Sequence, residues 1–363
     1  MGLDYAKINN MFKKLTKNIW FNVIFIMILA SFALVFALYD SYKVVFERLS
    51  HLEYWKIPII IAWGVAPYLV YALILKIFAL PFNKKYKFRH GLVNGYVGAF
   101  MSGITPSSSG GQFAQAYTYK KHGLTGSQGA GLIWMDFYIN QLVLVGITLV
   151  LYLVKITSFK QLAITFVFGI GVLFNVLVFF LLWLMIYFPK LYLKITNGLI
   201  HLLSYLKFIK NKEKIIESFN KTMGHFLEAI QTINQDKKTF WIVTFLYVIK
   251  LLLYFSTAFG IGQLLGLQFL WKDYVELLAL SSFVTISNTF VPLPGASGAT
   301  ESIFVIVFST VIGKAAAATT MILWRFTNFF IPVLVGGVLF IRLKRSDLIK
   351  VIDDEDPDSN HSL

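Results

Sequence analysis

Thr105-Pro106-Ser107-Ser108-Ser109-Gly110-Gly111-Gln112 and Pro292-Leu293-Pro294-Gly295-Ala296-Ser297-Gly298-Ala299-Thr300-Glu301 decide how this chain folds. Each is a proline- and glycine-rich break inside an otherwise oily run. Hydrocarbon cannot hydrogen-bond the backbone that such a break sets free, so irregular chain at membrane depth survives only inside protein or against a wet cavity. Two breaks at corresponding places in the two halves are the pattern of inverted repeats around a midplane site.

The composition around them, 57% apolar and only 14% charged with a mean hydropathy of +0.68, predicts an all-α polytopic membrane protein. The chain has no Cys, which excludes disulfides, thiolate metal sites and cysteine nucleophiles. Residues 1–18 are polar and basic and do not read as a cleavable leader, so the first apolar run is expected to stay as a helix. A net charge of +15 spread over short loops points to membrane topology and not to a nucleic-acid partner.

Uncharged runs of spanning length predict six transmembrane helices at about 19–39, 57–80, 129–154, 161–187, 239–266 and 317–341. Residues 91–119 and 277–313 are apolar but broken at the centre, with arms too short to cross alone, and read as two re-entrant helical hairpins. With both termini cytoplasmic, the inner segments hold 23 of the 33 basic residues. The pattern helix, helix, hairpin, helix then occurs over 19–154 and again, inverted, over 155–341, followed by an acidic cytoplasmic tail at 342–363 that reads as disordered. Setting Pro106 against Pro294 aligns Ser109 with Ser297 and Gly110 with Gly298, and puts Asp136 and Asn140 opposite Arg325 and Asn328.

Asp136, Lys250, Glu301 and Arg325 lie within apolar segments, where a charge is costly enough to need a reason. The planar fork of Arg325 suits a phosphate, and Glu301 and Asp136 suit an ammonium or a co-transported cation. The helix arms starting near Gln112 and Glu301 add N-terminal N–H groups that favour an anion. A structural alternative makes Glu301 a helix cap and a buried ion-pair partner of Lys250 or Arg325. Asp136, near the interface, is expected to be hydrated. Thr105, Ser107, Ser108, Ser109, Ser297 and Thr300 can hydrogen-bond phosphate or ester oxygens, while Gly110, Gly111, Gly295 and Gly298 let a head group approach the backbone. Their other role is to satisfy the backbone that each break frees.

Residues 190–235 combine apolar positions at helical spacing with lysines at 190, 194, 207, 210, 212 and 214, and read as an amphipathic segment on the inner surface. His90, His122, His201 and His225 fall on cytoplasmic loops without carboxylates at ligand spacing, so neither metal nor cofactor is expected. No acid is paired with a second carboxylate or histidine at short spacing, so no catalytic residues are assigned.

The TPSSSGGQ hairpin with its KKHG turn, and the PLPGASGATE hairpin followed by ILWRFTN, resemble the transmembrane domain of lysylphosphatidylglycerol synthases over roughly 10–341. That domain is the flippase half of the multiple peptide resistance factor, a link to antibiotic resistance. Family members often carry Gly-Glu where this chain has Gly111-Gln112. The resemblance implies a bacterial cell-membrane protein that moves a phospholipid, such as an aminoacylated phosphatidylglycerol, from the inner to the outer leaflet. It allows a homodimer. It also implies a separate synthase, because the soluble transferase domain is expected to be missing beyond residue 341 and lysyltransferase activity is then not expected of this chain. An ion-coupled small-solute transporter is the alternative, and phosphatidylglycerol lysyltransferase a second one by family name.

Overall fold

The computed structural model describes residues 46–155 except 48, 162–205, 211–224 except 214, 218, 221 and 222, 237–289, and 291–355. The expected first span at 19–39, the segment 1–18, residue 206–210 and 225–235 of the amphipathic stretch, and 356–363 of the tail lie outside them. In chain order the helices are α1 (Lys56–Ala79), α2 (Phe88–Ile104), α3 (Gly110–Lys121), α4 (Gly126–Val154), α5 (Leu162–Tyr187), α6 (Pro189–Tyr205), α7 (Lys237–Leu264), α8 (Trp271–Asn288), α9 (Ala299–Ile312), α10 (Lys314–Arg325) and α11 (Ile331–Glu355). A widened turn at Phe326–Phe330 joins the last two into one continuous helix.

Local chemistry sets the boundaries. Thr125 and Gln128 form a reciprocal cap that starts α4, each side chain bonding the other's backbone N–H. The KKHG turn ends α3: Gly123 takes a positive φ of 86°, and the Leu124 and Gly123 N–H groups bond back to the Tyr119 and Lys120 carbonyls. Gly266 closes α7 in the same manner. Helix α11 runs on to Glu355, so Asp353, Asp354 and Glu355 of the acidic tail are helical, with no breaker ahead of Pro357.

Six helical stretches among the described residues are long and apolar enough to cross a membrane. Five answer to expected spans, and the sixth, Pro294–Ile312, includes the second break. Large apolar side chains face outward along them, with Leu173 70% and Leu153 69% exposed. Such a surface is tenable only against lipid, and the chain is a multi-pass membrane protein.

The arms of the two broken segments pack on each other, α2 on α3 and α8 on α9. The return arms α3 and α9, of 12 and 14 residues, span only about 18 and 21 Å, short of a core of about 30 Å, whereas the entry arms α2 and α8, of 17 and 18 residues, are longer than expected and reach about 26 and 27 Å. Helix α1 packs on α7. Helix α4 packs on α8 as α11 packs on α2, and α1 lies on α2 as α7 lies on α8. Exchanging α1–α4 for α7–α11 leaves that set of contacts unchanged. Close approach makes it feasible: a Cβ on Gly336 would sit 2.0 Å from the Tyr96 carbonyl oxygen, so α11 reaches α2 backbone to backbone. Helix α5 is tied in by Asn175, which donates to the Ile286 carbonyl at 3.2 Å and accepts from Gln141 Nε2 at 2.6 Å.

Candidate functional site

The first break starts when Thr105 turns extended ahead of Pro106, and Ser107 and Ser108 then take left-handed conformations with φ of 52° and 55°. Thr105 makes good the lost helix bonds. Its Oγ1 donates to the Met101 carbonyl at 2.6 Å and accepts from the Gly110 N–H at 2.8 Å. Glycines follow because α3 returns against α2: a Cβ on Gly111 would meet Ser102 Oγ at 2.0 Å, and one on Gly110 would meet Thr105 Cγ2 at 2.6 Å. Pro106, Ser107, Ser108, Ser109 and Gln112 are exposed at this tip. Ser109 turns its hydroxyl back to the Pro106 carbonyl.

The second break repeats the course. Leu293 is extended, Pro294 opens a tight turn, and Gly295 and Ala296 are left-handed with φ of 58° and 49°. It then departs, because Ser297 is extended and Gly298 has a φ of 88° before α9 begins. Glu301 accepts the Gly298 N–H at 2.7 Å through Oε2 and pairs with Arg325 Nε at 2.7 Å through Oε1. Arg325 Nη2 donates to Ser297 Oγ at 3.0 Å and to the Gly295 carbonyl at 3.2 Å, and its plane lies 4.1 Å over the Phe329 ring. Thr300 donates to the Ala296 carbonyl. Pair and cap are buried, Glu301 at 2% and Arg325 at 5% exposure. This is the arrangement the structural alternative foresaw, with Arg325 and not Lys250 as the partner.

The two breaks touch. A Cβ on Gly295 would lie 3.3 Å from the Gly103 carbonyl and 2.4 Å from the Phe329 ring, which wedges between the tips. One side of the junction is therefore an exposed row of serines, and the other is a buried charged knot.

Asp136 and Lys250 form a second cluster. Asp136 is 8% exposed, which corrects the expectation that it is hydrated. Tyr71 Oη donates to its Oδ2 at 2.8 Å, Tyr247 Oη donates to Oδ1, and Gln115 Nε2 donates to Tyr71 Oη at 2.7 Å. Protein hydroxyls have replaced the water. The Lys250 ammonium lies 4.3 Å from the centre of the Tyr71 ring and 4.8 Å from that of Tyr247, and reaches Asn140 Oδ1 at 3.4 Å. The sequence does not single out these aromatic partners, because Tyr reads as an interfacial anchor. Their mid-helix positions were the available signal.

His90 and His122 also come together unforeseen, their rings stacked at 4.2 Å where α2 starts and α3 ends. Burial holds His122 down to about 4, helped by His90 and nearby cations, and burial lowers His90 as well. Among the described residues no group of three or more metal-ligating side chains gathers.

The family model described as "Lysylphosphatidylglycerol synthase TM region" matches residues 19–336. A "UPF0104 membrane protein" from Archaeoglobus fulgidus is 21% identical over 277 residues, covering 76% of this chain and 82% of that protein.

Proposed function

The chain belongs to the lysylphosphatidylglycerol synthase transmembrane-region family, and from that premise we propose that it is a lipid flippase. Two inverted repeats place their broken hairpins as re-entrant loops whose tips meet near the membrane centre. The exchangeable helix contacts and the matching backbone of the two breaks support the repeat, and the short return arms α3 and α9 support re-entry.

The head group of a phospholipid, such as an aminoacylated phosphatidylglycerol, crosses along the junction while its acyl chains stay in hydrocarbon. Taking a charged head from water without partners costs several kcal/mol or more. The carrying observation is the contact between the first break, whose Ser107, Ser108 and Ser109 are exposed, and a second break anchored by the buried pair Glu301–Arg325. In this reading Gln112 and the N–H groups of Gly110 and Gly111 add donors for phosphate, and Ser297 and Thr300 hold the second tip. The pair Glu301–Arg325 keeps the passage open and orders it. Asp136 and Lys250 form a second station.

The role is transport in the bacterial cell membrane with both termini cytoplasmic, on lipid made by a separate synthase. A reconstituted leaflet assay with tail-labelled lipids tests it. Wild-type protein moves label between leaflets, and replacing Ser107, Ser108 and Ser109 together by alanine slows it. Equal rates with and without protein contradict the proposal. Lysyl-lipid formation from charged tRNA by the purified chain contradicts a purely transporting role.

A further inference from the structure

Lys250 sits where a cation is well received but not fully used. Its ammonium faces the rings of Tyr71 on α1 and Tyr247 on α7, and its hydrogen bond to Asn140 is long at 3.4 Å. Both rings direct their hydroxyls at Asp136, which makes no direct ion pair with Lys250. An aromatic pair backed by a carboxylate and an amide oxygen, drawn from α1, α4 and α7, is the chemistry of an alkylammonium site. The lysine stem is flexible and the residue only half-buried, so its charge can leave without unfolding a helix.

We propose that Tyr71, Tyr247, Asn140 and Asp136 form a binding site for the ammonium of an amine-headed phospholipid, and that Lys250 occupies it as a tethered stand-in. This rests on the flippase reading and extends it. An arriving head group puts its own ammonium between the rings, and the displaced Lys250 pairs with the phosphate next to it. The site is never left without a cation, so the buried carboxylate of Asp136 keeps a compensating charge nearby at every stage of the exchange.

Calorimetric titration of the full chain in detergent with phosphoethanolamine and with ethylammonium chloride tests this. Wild type binds phosphoethanolamine more tightly, because the freed Lys250 meets its phosphate. In Lys250→Met, ethylammonium binds about tenfold or more tightly than to wild type, since no tethered ammonium competes, and phosphoethanolamine loses its advantage. Unchanged ethylammonium affinity in the variant overturns the site. Equal affinity of wild type for the two probes overturns the assignment to a lipid head as against a free amine.

Should Lys250→Met not fold, acetylation of Lys250 in wild type by an activated ester, read by mass spectrometry, replaces it. Labelling rises severalfold with tetramethylammonium chloride over sodium chloride, and unchanged labelling overturns the proposal. Neither readout needs lipid movement. A chain that binds these probes but moves no lipid contradicts the flippase reading alone.

Discussion

Ser107 and Gly295 occupy matching places behind the prolines of the two breaks and share one left-handed backbone conformation, with φ/ψ of 52°/27° and 58°/16°. Only one of them is glycine. Gly295 has no room for a side chain beside Phe329, whereas Ser107 is exposed. Gly295→Ala therefore destabilises by about 1–3 kcal/mol through overpacking. Ser107→Gly stays within about 1 kcal/mol of wild type, because relief of the backbone offsets the flexibility gained by the unfolded chain. Thermal unfolding in detergent compares the two.

Breaking the buried pair is more costly. Arg325→Ala leaves Glu301 charged and buried, and such losses run to about 3–5 kcal/mol. Arg325→Lys does not restore it, because an ammonium cannot reach Glu301, Ser297 and the Gly295 carbonyl together. A double-mutant cycle with Glu301→Ala shows strong coupling, the double variant being less destabilised than the sum of the singles.

The histidine stack makes one corner of the fold sensitive to acid. His122 has a folded value of about 4 against an ordinary 6.5, so the neutral ring is the one that packs. Above 6.5 the ring is neutral whether or not the corner is folded, and stability is full. As pH falls from 6.5 toward 4, the unfolded form takes up the proton first and stability is lost. The nearby Lys87, Arg89 and Lys121 side chains provide no compensating carboxylate. Hydrogen exchange at residues 119–125 accelerates over that window, and His122→Phe weakens the pH dependence, leaving the part that His90 contributes.

Asn175 holds α5 against α8 through buried bonds that span both neighbours. Asn175→Leu costs about 1–2 kcal/mol, membrane-buried bonds being worth about 0.6 kcal/mol each on average and the orphaned Gln141 adding to it. Its unfolding midpoint falls, while the Glu301–Arg325 cycle keeps the same coupling energy.

Much of the architecture is legible in the sequence because membrane crossing imposes long apolar runs, and because proline and glycine announce where those runs break. Glu301 and Arg325 are legible too, since a charge in an oily run must find a partner and few exist. Asp136 is different. Its partners Tyr71 and Tyr247 come from helices far away in the chain, and a tyrosine beside a carboxylate carries no local signature. His90 and His122 meet only because the hairpin brings its two ends together, and Asn175 meets Ile286 across two helices. What the local pattern cannot encode is which distant polar group satisfies which.

Lipid movement along the junction requires the two tips to meet at mid-membrane beside a polar path. The native chain contains no Cys, so single nitroxide labels placed by Ser109→Cys and Pro292→Cys report unambiguous sites in reconstituted vesicles. Depth measured from the relative accessibility to oxygen and to a polar nickel chelate decides the matter. Both labels are expected in the central third of the bilayer, with the label at 109 also reached by the chelate. A label at either position lying among or beyond the headgroups contradicts it.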